Sequence, residues 1–144
     1  MHADKVAAKD TTPDGSLVRT LGVLPNVASF AQFELAPNQA SQALSHGSVQ
    51  EIWYVVSGSG ELWRSLDSKD DKTRLEPGVC VTIPAGTSFQ SQAGNDGLQI
   101  VAVTIPPWPG NAGEARQQDG PWRVAAKAVK DARSASQGLP FGPR

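Results

Sequence analysis

Residues 46–66 read HGSVQEIWYVVSGSGELWRSL, and this stretch decides the fold. Its first half, Gln50 to Val56, is dense in β-branched and aromatic side chains, the types that fit a pleated, half-buried surface. A strand is expected there. Period-two alternation puts Glu51, Trp53 and Val55 on one face and turns Tyr54 to the other. Ser57-Gly58-Ser59-Gly60 reads as a sharp turn, because glycine reaches positive φ at no steric cost, with Glu61 to Leu66 returning as hairpin partner.

Outward from this centre the same pattern repeats. Leu17 to Leu24 and Val27 to Leu35 read as strands ended by Pro25-Asn26 and Pro37-Asn38, and Gln39 to His46 as a third. Downstream, 67–72 (DSKDDK) read as a charged loop, Pro77-Gly78 as a turn, Val79 to Ile83 and Ser88 to Gln92 as strands, and 94–97 (GNDG) as a turn. Leu98 to Ile105, LQIVAVTI, is apolar nearly throughout, as in a strand covered on both sides or lying at an interface. Three prolines in 106–109 then supply no ladder donors, which ends the sheet. Eight or nine short strands with turn residues between them define an all-β sandwich or barrel.

The chain of 144 residues has the length of one domain. Glycine and proline together number 25, about 17% against an average near 12%, which fits many turns and excludes a long helical bundle. The division expected is a polar, disordered leader over 1–15, the barrel over 16–112 and a C-terminal appendage over 113–144 that packs on it. In the appendage, Pro121 suits a first helical turn, and Trp122, Ala126 and Val129 then share one side of a short helix running to about Ala135. Trp108 and Trp122 gain from burial, so the tail is expected to fold back on the barrel or on a second subunit.

Thirteen basic and fourteen acidic side chains give a net charge of −1, which excludes broad attraction to nucleic acid or anionic membrane. No apolar stretch reaches the roughly 18 residues of a membrane span, and the leader MHADKVAAKDTTPDG has no apolar signal core. A cytoplasmic location is expected. The single cysteine, Cys80, lies in a strand and reads as buried and inert; His2 lies in the leader and carries no site. At least two of Trp53, Tyr54 and Trp63 are expected in the core. No phosphate loop, serine elbow or zinc-cysteine pattern is present.

Two segments carry chemistry. His46, four residues, Glu51, six residues and Gly58 form one; Gly78, Pro84 and Gly86 form the other about thirty residues on. These resemble the paired signatures of the cupin superfamily, small double-stranded β-helix barrels that hold a metal or small ligand inside. The resemblance covers about residues 40–95 and implies a cupin-type antiparallel jelly-roll barrel with a C-terminal helix or tail. It also implies a homodimer built on outer strands, for which Leu98 to Ile105 offers apolar surface. In metal-binding cupins three histidines and the glutamate hold the ion; here two of the histidine positions fall on Leu44 and Phe89, and the leading glycine and closing asparagine positions fall on Asn38 and Ala93. The cofactor the resemblance admits is a divalent transition metal (Fe, Mn, Ni or Zn), with His46 and Glu51 as an incomplete ligand set.

A buried imidazole and carboxylate can also do acid and base chemistry without metal. The functional reading is therefore a small-molecule-binding cupin, an enzyme of isomerase, epimerase, dehydratase or other lyase type, with His46 and Glu51 as the catalytic pair. Gln42, Leu44, Trp53, Phe89 and Gln90 are the expected pocket residues. Two alternatives stay open: a metal-dependent dioxygenase or lyase, and a ligand-binding cupin that performs no reaction.

Overall fold

The alternation of buried and exposed side chains decides how the strands assemble. In the computed structural model, which describes residues 10–11, 16–107 and 115–124, nine strands form one antiparallel sheet that curls around a single core. They are β1 (Asp10–Thr11), β2 (Leu17–Leu24), β3 (Ala28–Leu35), β4 (Leu44–His46), β5 (Gln50–Leu66), β6 (Lys69–Leu75), β7 (Cys80–Ile83), β8 (Ser88–Ile105) and β9 (Ala115–Gln117). The sheet runs β1-β2-β3-β8-β4-β9, and β5 lies against β8 while also pairing with β6 and β7. Leu35, Leu44, Trp53, Val55, Leu62, Leu75, Val81, Ile83, Phe89, Leu98 and Ile100 meet inside.

Two segments expected to reverse the chain do not. β5 passes straight through SGSG and β8 through GNDG, so the hairpin partner of each half lies elsewhere. The glycines serve a crossing instead. Gly58 has φ 85°, and a Cβ there would lie 2.1 Å from the Gly97 carbonyl oxygen, so the backbones of β5 and β8 meet with no room for a side chain. The register shifts across this point, from Gly58 opposite Leu98 to Gly60 opposite Ala93, which makes residues 94–97 a bulge in β8. The bulges also switch the inward parity: Glu51, Trp53 and Val55 face in before the crossing on β5, and Leu62 after it.

The charged loop expected over 67–72 is mostly strand β6. Its turn is Asp67-Ser68, with φ 54° and 64°, joining Leu66 to its register partner Lys69. Two successive positive φ values make the type I′ hairpin, whose twist matches the strands. The expected strand Gln39 to His46 contracts to Leu44–His46, preceded by a single bridge between Ala40 and Gln92. Asp10–Thr11 pair with β2, so the leader is tied to the sheet at that point.

Cys80 is exposed, not buried: β7 turns Val81 and Ile83 inward and leaves Cys80 and Thr82 outside. Among the three hairpin aromatics only Trp53 is buried; Tyr54 is 50% exposed, and Trp63 is half-buried. LQIVAVTI is covered on one side only: Leu98, Ile100, Ala102 and Thr104 face in, while Gln99, Val101 and Val103 are half-buried outside. The described residues contain no helix, and Pro121 to Val124 are non-helical; the rest of the expected C-terminal helix, and Trp108, lie outside the described residues. No helix of the described residues is long and apolar enough to cross a membrane.

Candidate functional site in the barrel interior

β4 is three residues long and is paired on both sides. Leu44 and Ser45 pair with Phe89 and Ser88 of β8, and all three β4 residues pair with β9, from Leu44 opposite Gln117 to His46 opposite Ala115. Leu44 joins the core, and His46, two residues on, takes the same face. Ser45 faces the other way, where its hydroxyl accepts from Gln118 Nε2 at 2.8 Å. Glu51 arrives from β5, opposite Ile83 of β7 and Thr104 of β8, and is buried among them.

The two side chains meet. His46 Nε2 lies 3.5 Å from Glu51 Oε2, with exposures of 3% and 5%. Trp53 Nε1 donates to Glu51 Oε1 at 2.6 Å. Indole N–H is a donor only, so this bond fixes which carboxylate oxygen is held and leaves Oε2 turned to the imidazole. Phe89 walls the pair: its ring centroid is 5.8 Å from that of His46 and 6.1 Å from Trp53, edge-on to the latter. Apolar walls around one imidazole and one carboxylate strengthen any electrostatic interaction made there.

Of the expected pocket residues, Leu44, Trp53 and Phe89 stand in this cluster with His46 and Glu51. Gln42 and Gln90 do not. Residues 41–43 are not in a strand, so the alternation that put Gln42 inside does not reach it; its amide donates to the Gln118 carbonyl at 3.0 Å. Gln90 is 1% exposed, yet it lies on the opposite face from Phe89, where its amide donates to the Ser41 and Trp122 carbonyls and accepts from Trp122 N–H. It fastens the C-terminal segment to the outside of β8.

Two buried threonine hydroxyls escaped the sequence reading. Thr104 is fully buried beside Glu51 and bonded to Ser29 Oγ. Thr87 is 2% exposed and stands two residues before Phe89, the parity of the inward face. A signal existed for the first, the lone hydroxyl at even parity in LQIVAVTI; the second fell just outside a strand expected to begin at Ser88.

The donor set does not fit a transition metal. Among the described residues no three of His, Cys, Asp and Glu come together, and two of the three histidine positions of the metal-binding pattern are the core residues Leu44 and Phe89. A structural or catalytic site of this kind takes at least three protein ligands, whereas here one of two donors already accepts from Trp53.

Residues 31–105 match the family described as Cupin domain, slightly more than half of the chain, and the chain belongs to that family. No curated protein sequence matches it. Solved structures share the fold. A Streptomyces PAC13 variant with uridine aligns over 79% of this chain and 85% of its own at 15% identity, TM-score 0.64. KdgF from Halomonas sp. aligns over 74% and 92% at 18% identity, TM-score 0.62. Oxalate decarboxylase from Bacillus subtilis aligns over 94% of this chain and 36% of its own at 16% identity, TM-score 0.68.

Proposed function

We propose that this cupin is an enzyme that moves a proton on a small polar organic substrate inside the barrel, as an isomerase or lyase. The observation that carries the reading is the buried His46–Glu51 pair, held at 3.5 Å with the carboxylate already oriented by Trp53. His46 takes a proton from the substrate, and Glu51 Oε2 stabilises the imidazolium formed. In a dehydration the C–H electrons become the new C=C bond, the C–O bond breaks, and the imidazolium returns its proton to the leaving hydroxyl as water. A separation longer than the roughly 3 Å of a strong N–H···O bond suits a site before substrate tightens it. Enzymes on small molecules occur among the structural neighbours, one of them, Pac13, a nucleoside dehydratase.

The test is turnover of a panel of nucleosides, sugars and hydroxy acids in D2O, followed by NMR for deuterium entry or loss of water. Removing a general acid or base typically costs about 10²–10⁴-fold in rate, so His46→Gln is expected to slow exchange by at least about 10²-fold while the barrel stays folded. A panel member bound by the protein but turned over by neither form would sink the catalytic reading and leave a binding protein.

A further inference from the structure

The hydroxyl of Thr87 takes no part in the hydrogen bonding of the described residues. Among the described residues its buried Oγ1 has no hydrogen-bond partner, although it could donate one bond and accept two. A buried hydroxyl without a partner is costly, and a well-packed protein keeps one where something else supplies the partner. Its place says what. Leu44 pairs with Phe89 and Ser45 with Ser88, so the register extended by one residue sets Thr87 against His46. The turn before it is tied to the same residue, since Gly86 N–H donates to the His46 carbonyl at 2.8 Å and Thr87 N–H closes the turn on Pro84. Thr87 has the parity of Phe89, whose ring lies against His46.

The charge of the interior narrows the partner. The buried polar side chains among the described residues are serines, threonines, Gln90, His46 and Glu51, with no lysine or arginine. An anionic ligand would meet the Glu51 carboxylate with no cation beyond His46, which Glu51 itself faces, to offset it, whereas a neutral hydroxyl or carbonyl suits a threonine that both donates and accepts. Resting on the reading of His46 and Glu51 as the reacting pair, we propose that Thr87 Oγ1 is the third polar contact of the site, and that it binds an oxygen of a neutral polyhydroxylated substrate of the sugar or nucleoside class.

The experiment compares uridine and glucose with their anionic counterparts, uridine 5′-monophosphate and glucuronate, by calorimetry on the full chain and on Thr87→Val and Thr87→Ser. The expected result is that a neutral probe binds about tenfold or more tighter than its anionic twin, that Thr87→Val weakens it by about tenfold, and that Thr87→Ser stays within about threefold of the parent. Thr87→Val keeps shape and removes an unpartnered polar group, so its thermal stability is expected to match or exceed the parent's. Equal affinity in Thr87→Val, preference for the anionic probes, or no binding of either neutral probe at millimolar concentration overturns the proposal. A Thr87→Val variant that melts lower and binds as before overturns it too, since the hydroxyl then serves the fold. The two readings separate cleanly: a Thr87-dependent affinity with no turnover refutes the catalytic proposal alone, and His46-dependent turnover with unchanged Thr87→Val affinity refutes this one alone.

Discussion

Trp53→Phe tests the architecture of the site directly. The indole N–H is the donor that orients Glu51, at 2.6 Å, and both residues are 5% exposed, so solvent neither screens the bond nor replaces it. A hydrogen bond to a charged group contributes about 1.5–3 kcal/mol. The smaller ring leaves a partial void where the edge contact with Phe89 was, adding about 1 kcal/mol. The expected destabilisation is therefore about 3 kcal/mol, or a melting temperature lower by roughly 6–12 °C for a domain of this size. Urea denaturation of the parent, Trp53→Phe, Glu51→Leu and the double variant isolates the bond, because the void term appears with and without the carboxylate and cancels in the cycle. A coupling energy near 2 kcal/mol is expected. A coupling under about 0.5 kcal/mol would refute the claim that the indole holds the carboxylate in place.

Three further outcomes follow from the geometry. Gly58→Ala forces a Cβ to within 2.1 Å of the Gly97 carbonyl at φ 85°, so the strands must part and stability falls by about 3 kcal/mol or more; a loss under about 1 kcal/mol in urea would mean the crossing is looser than described. Reconstitution with Fe, Mn, Ni or Zn followed by elemental analysis is expected to leave the protein well below one ion per chain, and a stoichiometric ion that vanishes in His46→Ala would show that residues other than His46 and Glu51 complete a ligand set. At Asp70 the Ser65 hydroxyl and then the Trp63 indole hold the carboxyl below its ordinary 3.8. A depressed folded-state value gives stability that is present above the unfolded value and lost as pH falls through the folded one, so the β5–β6 hairpin loosens only below about pH 4. A carboxyl titration by NMR with an Asp70 midpoint above 3.8 would contradict the bonding described.

How far the sequence reaches can be judged residue by residue. The face shared by Glu51, Trp53 and Val55 was legible because alternation is a property of the strand itself, and the spacing from His46 to Glu51 to Gly58 was legible because neighbouring strands carry it locally. The hairpin expected at SGSG was wrong for a reason local sequence cannot supply. Glycine permits a turn and permits a close crossing equally, and only the arrival of Gly97 from some forty residues away chooses the crossing. DSKDDK is similar: its charges suited a loop, yet Arg64 binds Asp71 through two guanidinium nitrogens across the hairpin and makes a solvated strand of it.

The assignments of Gln42 and Gln90 to the pocket failed at a different level. Both are buried or half-buried polar residues near the right strands, but a sheet has two faces, and the returning segment Gln118 to Trp122 covers the outer one with partners for both amides. What the sequence determined by itself was the all-β class, the barrel family and the burial of His46 and Glu51, because these depend on period, spacing and side-chain type. What only the tertiary structure decided was the path of β5 and β8 through their glycines, the grip of Trp53 on Glu51, and the tie between the turn before Thr87 and the His46 carbonyl. Each of those depends on a contact between residues distant in the chain, and such contacts exist only once the sheet has closed on itself.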